Sequence, residues 1–371
     1  MKILIVYATA GAGHRRASEA IYSYLKKDES LDVVKIDALD YSNALFKLLY
    51  SEGYLFLVTH LSFIWVFLFY LPGNKFTSFL ANSLRFFVNR INLYRLASYI
   101  LKENPDCLLS THFLPNEVGT FLKVFFKAKF KLVSIVTDFT VHPFWVARGV
   151  DKYIVASQNT QDEIVSLGVD KEKTKVIGIP IDERFYSKSD RKILSNNLEI
   201  ADNLFTALIV TGAIGIGPIE EIVKTLTQEN IQTIVVCGSN KKLYSNLVNL
   251  NIKTAKILGF VNNIHELMDV SDCIITKPGG LSVSEAIIKN LPMIFISPIP
   301  GQETANANLM SRLGVGLSID SPEDILKKIV ELRNDPAKIE YIRNKLKSIS
   351  NTSTLKEIAD EIRRSCSSPT S

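Results

Sequence analysis

Two long stretches of this chain alternate short, mostly apolar runs with amphipathic helical patterns, and few architectures accommodate that rhythm. In the first stretch the runs fall at 3–7, 107–111, 131–137 and 152–156. In the second they fall at 205–210, 233–237, 255–258, 272–276 and 292–296. A short apolar run without strict alternation reads as a strand covered on both faces, and helices between such strands indicate parallel pairing. The expectation is an α/β chain of two Rossmann-like domains whose parallel sheets face a central cleft. A polar segment at 187–203 reads as the linker, which sets the domains at 1–186 and 187–350. Beyond Pro322 the pattern is helical to about Arg364, and 351–371 reads as a closing helix and tail.

Composition narrows the function. With 47% hydrophobic and 22% charged residues, the 371-residue chain can bury sizeable cores, which excludes disordered and disulfide-stapled classes. The net charge of +5 is too small to argue for a nucleic-acid partner. Cys107, Cys237, Cys273 and Cys366 show no zinc spacing and the histidines are scattered, so neither a metal nor another cofactor is expected. The opening apolar run is too short for a signal peptide, which points to a cytoplasmic protein. Charge is unevenly placed, however. From 53 to 102 there is no acid, while Lys75, Arg85, Arg90, Arg95 and Lys102 are all present. The same window opens with an apolar run at 54–71 that includes Phe63, Trp65 and Phe67 and is interrupted by Thr59, His60 and Ser62. Apolar residues then recur at Leu80, Leu84, Phe87, Ile91 and Tyr94, the spacing of one helix face. Arginines around that face suit an interfacial helix on anionic lipid; the alternative is a core stripe with a solvated basic face.

Both halves begin with a strand, a glycine-bearing turn and a helix: Gly11-Ala12-Gly13 in the first, Gly212 to Gly217 and Pro218 in the second. Neither matches the dinucleotide fingerprint or an NTPase phosphate loop, so each is an anion cradle or a plain βα turn. After the run at 272–276 come Gly279 and Gly280, with Glu285 one to two turns into the next helix. That carboxylate is placed to accept ribose hydroxyls, or is simply solvated. Gln302, Glu303 and Asn306 occupy another strand-to-helix junction, where they suit sugar hydroxyls or helix capping. Asp138 ends the run at 131–137, with His142 and Trp145 close behind, and His14 directly follows Gly13. The carboxyl ends of strands are where open α/β sheets bind ligands. An Asx turn at Asp138 is the plain alternative.

Taken together, the chain resembles the diacylglycerol glycosyltransferases, the processive bacterial glucosyltransferases and the related monogalactosyldiacylglycerol synthases, over nearly its whole length. The resemblance runs from Gly11-Ala12-Gly13-His14 through Thr137-Asp138-Phe139, Gly178-Ile179-Pro180 and Leu258-Gly259-Phe260-Val261. Its strongest pieces are Ile275-Thr276-Lys277-Pro278-Gly279-Gly280 and Pro300-Gly301-Gln302-Glu303 with Asn306. It implies the GT-B fold, a UDP-glucose or UDP-galactose donor, and inversion to a β-glycoside of diacylglycerol. By motif matching, Glu285 would hold the ribose, and Gln302, Glu303 and Asn306 would face the donor sugar. Gly212, Gly215 and Gly217 would cradle the pyrophosphate, Gly279 and Gly280 would belong to the donor-binding side, and Phe260 and Val261 would present backbone to uracil. Either His14 or Asp138 would take the acceptor proton, and the other would orient it. Phe63, Trp65, Phe67, Arg85, Arg90, Arg95, His142 and Trp145 would form the acceptor and membrane side, at the cytoplasmic face of the cell membrane without spanning it. The competing readings are a transferase using a polyprenyl-linked acceptor, a sugar-nucleotide 2-epimerase and a non-catalytic membrane-bound UDP-sugar sensor.

Overall fold

Among the described residues of the computed structural model, which are 1–9, 11–53, 88–212 and 217–367, every strand pairing is parallel. The strands make two six-stranded sheets, one in each of two units. One unit comprises Met1–Glu183, Pro300–Gln302 and Ser353–Ser371; the other comprises Arg184–Ile299 and Glu303–Thr352.

The first sheet consists of β1 (Lys2–Tyr7), β2 (Asp32–Asp37), β3 (Cys107–Ser110), β4 (Lys131–Ile135), β5 (Lys152–Val155) and β6 (Thr174–Val176), in the order β2-β1-β3-β4-β5-β6. The chain leaves β1 towards β2 on one side and returns to pair β3 on the other, so the winding reverses between β1 and β3. Its main helices are α1 (Ala12–Leu25), α2 (Ala44–Leu48), α3 (Tyr94–Glu103), α4 (Phe113–Phe125) and α5 (Gln158–Ser166). Covering both faces leaves Ile3, Leu4, Ile5 and Val6 with no exposure at all.

The second sheet is built the same way from β7 (Thr206–Val210), β8 (Gln232–Val236), β9 (Ala255–Leu258), β10 (Cys273–Thr276), β11 (Met293–Phe295) and β12 (Gly316–Ser318). Its order, β12-β11-β10-β7-β8-β9, reverses between β7 and β10. Strands β2, β6 and β12 are absent from the sequence-based expectation, and all three are sheet edges. An edge strand has a partly solvated flank, so Asp32–Asp37 mixes charged and apolar residues and shows no continuous apolar run.

Two further expectations need correction. The segment at 187–203 is not a bare linker, because it contains α6 (Arg191–Leu198), whose first turn is capped by Asp190 accepting from Lys192 N and Ile193 N. Arg191 then grips Asp272 with both guanidinium nitrogens, at 2.8 and 2.9 Å. The chain after Pro322 is three helices: α12 (Pro322–Asn334), α13 (Pro336–Ile349) and α14 (Thr354–Ser367), so the last one outruns Arg364. Helix α14 packs on the first unit through buried Leu355, Ile358, Ala359 and Ile362. Each large apolar side chain there contributes on the order of 1.5–3 kcal/mol. Cys366 also reaches Cys107 of β3, and their mutual hydrogen bond pushes the Cys107 thiol up and pulls the Cys366 thiol down.

Asp272 also accepts the Thr206 backbone N–H at 2.9 Å, so one carboxylate ties α6 to the start of β7. Asp272→Ala is expected to destabilise the second unit by about 2–4 kcal/mol, because it strands the Arg191 charge and a backbone donor together. Asp272→Asn, which keeps an acceptor oxygen, loses less. Denaturant unfolding of the two variants measures the difference.

Candidate active site

In the first unit the site grows from the turn after β1. Gly11 has φ 99° and is the N-cap of α1, with no side chain capping the helix. That backbone angle suits glycine and leaves the first-turn N–H groups open to a ligand. His14 stands in this first turn and is half-buried. Its Nδ1 lies 2.8 Å from the Thr111 carbonyl oxygen and 2.8 Å from Thr137 Oγ1. A carbonyl only accepts, so Nδ1 carries the proton and Nε2 holds the lone pair. Thr111 Oγ1 closes the loop by donating to the His14 carbonyl at 3.0 Å. Thr111 follows β3 and Thr137 lies beyond β4, so three adjacent strand ends fix one imidazole beside the reversal of winding.

Burial pushes the His14 pKa down to about 4, against the opposing effect of its bond to Thr111. The ring is therefore neutral at physiological pH, with an available lone pair. Its walls are His112, edge-on at 4.5 Å between centroids, and Trp145 at 6.2 Å. Asp138 follows Thr137 and is half-buried; its Oδ2 accepts from Gln302 Nε2 at 3.0 Å.

His142 and Trp145 are not surface residues. His142 caps the turn Pro143–Trp145 by accepting from Phe144 N, and Trp145 is only 1% exposed within the core. Their burial rules out a membrane-facing role for either side chain. Trp145 belongs instead to the wall behind His14. Thr111 and His112 are the contributors that sequence reasoning missed. The available signal was the polar triplet Ser110-Thr111-His112, breaking off an apolar strand at its carboxyl end.

In the second unit three loops gather at the carboxyl edge. After β7, Gly212 (φ 81°) and Gly217 (φ 135°) bound a turn whose middle, with Gly215, lies outside the described residues. A Cβ on Gly217 would sit 3.4 Å from Ile296 Cδ1, so this turn lies against the end of β11. After β10, Gly279 caps α10 (Gly280–Ile288), again with no side-chain capping bond. Glu285 in that helix is 3% exposed, so the solvated alternative fails. After β11, Glu303 Oε2 accepts the Ile299 N–H at 2.7 Å, and burial pushes the carboxyl up against the pull of that bond and of Lys277. Asn306 is fully buried and donates to the Pro278 carbonyl at 3.0 Å. A Cβ on Gly279 would stand 3.9 Å from Glu303 Oε1. The structure thus brings Gly279, Glu303 and Asn306 together. Phe260 stands beyond edge strand β9, 73% exposed, with Val261 half-buried beside it.

Of the membrane-side residues, Phe63, Trp65, Phe67 and Arg85 lie outside the described residues. Arg90 packs its guanidinium 4.5 Å from the Phe121 ring centroid, and Arg95 stacks on Tyr94 at 5.7 Å. Among the described residues no cluster of His, Cys, Asp and Glu is arranged to hold a metal.

Solved structures share this architecture. MurG of Acinetobacter baumannii superposes with a TM-score of 0.65 at 14% identity, covering 98% of this chain and 99% of that one. Anabaena HepE in complex with UDP gives 0.61 at 18% identity, covering 98% and 100%. The monogalactosyldiacylglycerol (MGDG) synthase family model matches residues 14–181, and the glycosyltransferase family 28 C-terminal domain matches 216–362. The fold is GT-B and the chain is a glycosyltransferase. Among curated relatives, the processive diacylglycerol beta-glucosyltransferase of Bacillus cereus (strain G9842) is 30% identical, over 94% of this chain and 89% of that protein. That of Bacillus thuringiensis (strain Al Hakam) is also 30% identical, over 97% and 93%. The chain belongs to the diacylglycerol glycosyltransferase family.

The depressed pKa of His14 has a testable sign. In the unfolded chain its imidazole gains a proton below about 6.5, whereas the folded ring resists until about 4. His14 therefore makes stability fall as pH drops through that interval and leaves it level above. Nuclear magnetic resonance titration of the ring is expected to give a midpoint near 4, and His14→Phe should flatten the acid side of the stability profile.

Proposed function

We propose that the enzyme transfers glucose from UDP-glucose to the hydroxyl of 1,2-diacylglycerol, with inversion, to give a β-glucosyl glycolipid. The observation that carries this reading is the neutral His14 imidazole, its Nδ1 proton committed to Thr111 and its Nε2 lone pair left to act as base. In the reaction the acceptor hydroxyl gives its proton to Nε2 as its oxygen bonds the anomeric carbon. The bond from that carbon to the diphosphate breaks, and UDP leaves with the electron pair. Asp138, held by Gln302, orients the acceptor. Backbone N–H groups around Gly212, Gly217, Gly279 and Gly280 receive the departing charge as fixed dipoles. Glu285 holds the ribose, Gln302, Glu303 and Asn306 contact the hexose, and Phe260-Val261 offers backbone to uracil.

The names of the Bacillus relatives support glucose and diacylglycerol, and HepE, solved with UDP and with UDP-glucose, supports a UDP-sugar donor. Galactose is the second reading, favoured by the MGDG synthase match. Incubation with diacylglycerol and each UDP-hexose in turn, with mass spectrometry of the lipid products, separates them. A glucosyl product is expected, and a galactosyl product would favour the second reading. Absence of any product, or transfer only to a polyprenyl-linked acceptor, would overturn the proposal. His14→Ala is expected to lower kcat by about a hundredfold or more while UDP binding stays intact. Glu285→Ala does the reverse, weakening UDP binding by roughly tenfold to a hundredfold, as loss of a charge-assisted bond of about 1.5–3 kcal/mol would. Calorimetry with UDP and steady-state rates read the two effects separately.

A lipid acceptor stays in its bilayer, so the enzyme must come to it. We place the docking face on the cytoplasmic side of the cell membrane, along α3 and α4 of the first unit. There Val124, Phe125 and Phe126 are 59%, 61% and 57% exposed, beside the guanidinium of Arg90. A cavity of about 260 Å³ lies between the two helices, lined by Leu93, Leu101, Val118 and Phe121. Among the described residues no helix is long and apolar enough to cross a membrane. Cationic residues at an anionic surface contribute about 1 kcal/mol each. Liposome sedimentation is therefore expected to rise with anionic lipid, fall with salt and weaken in the double variant Arg90→Glu, Arg95→Glu.

A further inference from the structure

Helix α4 begins on a histidine. His112 is 1% exposed, and its Nδ1 accepts the Leu114 N–H at 3.0 Å, which caps the helix. With Nδ1 accepting, the ring proton sits on Nε2 and the imidazole is neutral. Asn, Ser or Asp would cap as well with a smaller side chain. The imidazole adds a rigid wall: it meets the His14 ring at 84° with 4.5 Å between centroids. It is itself pinned from behind by Phe113 at 4.1 Å and Tyr50 at 6.0 Å. The backbone is held too, since the hydroxyl of Ser110 bonds the His112 carbonyl and accepts its N–H at 3.3 Å.

The bond to Cβ and the hydrogen bonds at Nδ1 set the mean plane of the His14 ring, but they act on one side of it and leave the Nε2 side to librate. A contact with the ring itself narrows that libration, and the edge-to-face neighbour supplies it. We propose that His112 is a positioning residue for the transfer reaction: its ring, anchored by the cap of α4, steadies the plane of His14 and so the direction of its Nε2 lone pair. This rests on the reading of His14 as the base. The groups that bond or stack on the His14 ring among the described residues are Thr111, Thr137, His112 and Trp145, none of them a carboxylate or a fixed charge. Tyr50, a phenol, meets the His112 ring edge-on. The wall also keeps water from the His14 ring, so its loss raises the affinity of His14 for a proton.

Two substitutions separate the ring from the cap. His112→Asn keeps an oxygen for the Leu114 N–H and removes the wall. Its melting midpoint is expected to stay near wild type, with kcat down by about 10- to 100-fold and KM for UDP-glucose held. The His14 resonance should titrate closer to its ordinary value than to 4. His112→Phe restores a ring without the cap; it is expected to melt a few degrees lower yet recover most of the kcat lost in His112→Asn. A wild-type kcat and an unmoved His14 titration in His112→Asn would overturn the proposal and leave capping as the whole role. Where His112→Asn fails to fold, His112→Phe decides: retained kcat supports the wall, and lost kcat in a folded protein overturns it. A His14→Ala enzyme with the wild-type rate would overturn the base reading and this proposal together, whereas the His112→Asn titration judges the wall alone.

Discussion

Parallel strands cannot be joined by a tight hairpin, so a connection between two strands of one sheet must return along that sheet before the next strand begins. That constraint dictates the buried strand interiors, the covering helices and the place of the candidate site. In each unit the chain lays its second strand on one side of the first and later returns to the other side. Connections from the two neighbouring strands then diverge at the carboxyl edge, leaving loops and helix N-termini uncovered there. His14 lies beside the reversal between β1 and β3. Gly212 and Gly279 lie on either side of the reversal between β7 and β10.

What occupies the two reversals differs chemically. The first unit offers a single imidazole whose tautomer is chosen by a carbonyl and whose proton affinity is lowered by burial. Such a ring stays uncharged near neutrality, so any proton it takes up there is governed by placement more than by basicity. The second unit offers backbone. Helices α7 (Ile219–Leu226) and α10 both start without a side-chain cap, at Pro218 and Gly279. Their N–H groups are oriented by the fold before any ligand arrives, so stabilising an anion there requires little reorganisation.

Legibility in the sequence followed burial. The inner strands β1, β3, β4, β7, β8, β10 and β11 are covered on both faces and read as apolar runs, whereas β2, β6 and β12 are half-solvated edges that do not. Helix α6 was hidden in a polar segment because its main anchor, Asp272, lies 81 residues from Arg191. The glycine turns and the strand-end polar residues were visible because a ligand-facing backbone needs those residue types locally. The burial of Glu285, Trp145 and His142 was not visible, since a carboxylate, an indole or an imidazole has the same local pattern whether exposed or enclosed.

By itself, then, the sequence determined two parallel α/β units, their central strands, the glycine turns at their carboxyl edges and the family motifs carrying His14, Asp138, Glu285 and Glu303. These follow from local chemistry: apolar runs seek cover, and glycine permits turns that other residues resist. Only the tertiary structure decided that α14 joins the first unit, that Cys107 meets Cys366 and that Glu285 is enclosed. It alone set the state of His14, whose partners Thr111 and Thr137 are 97 and 123 residues away. A tautomer and a proton affinity depend on which dipoles and how much water surround a ring, and those neighbours assemble only when distant strands align in one sheet.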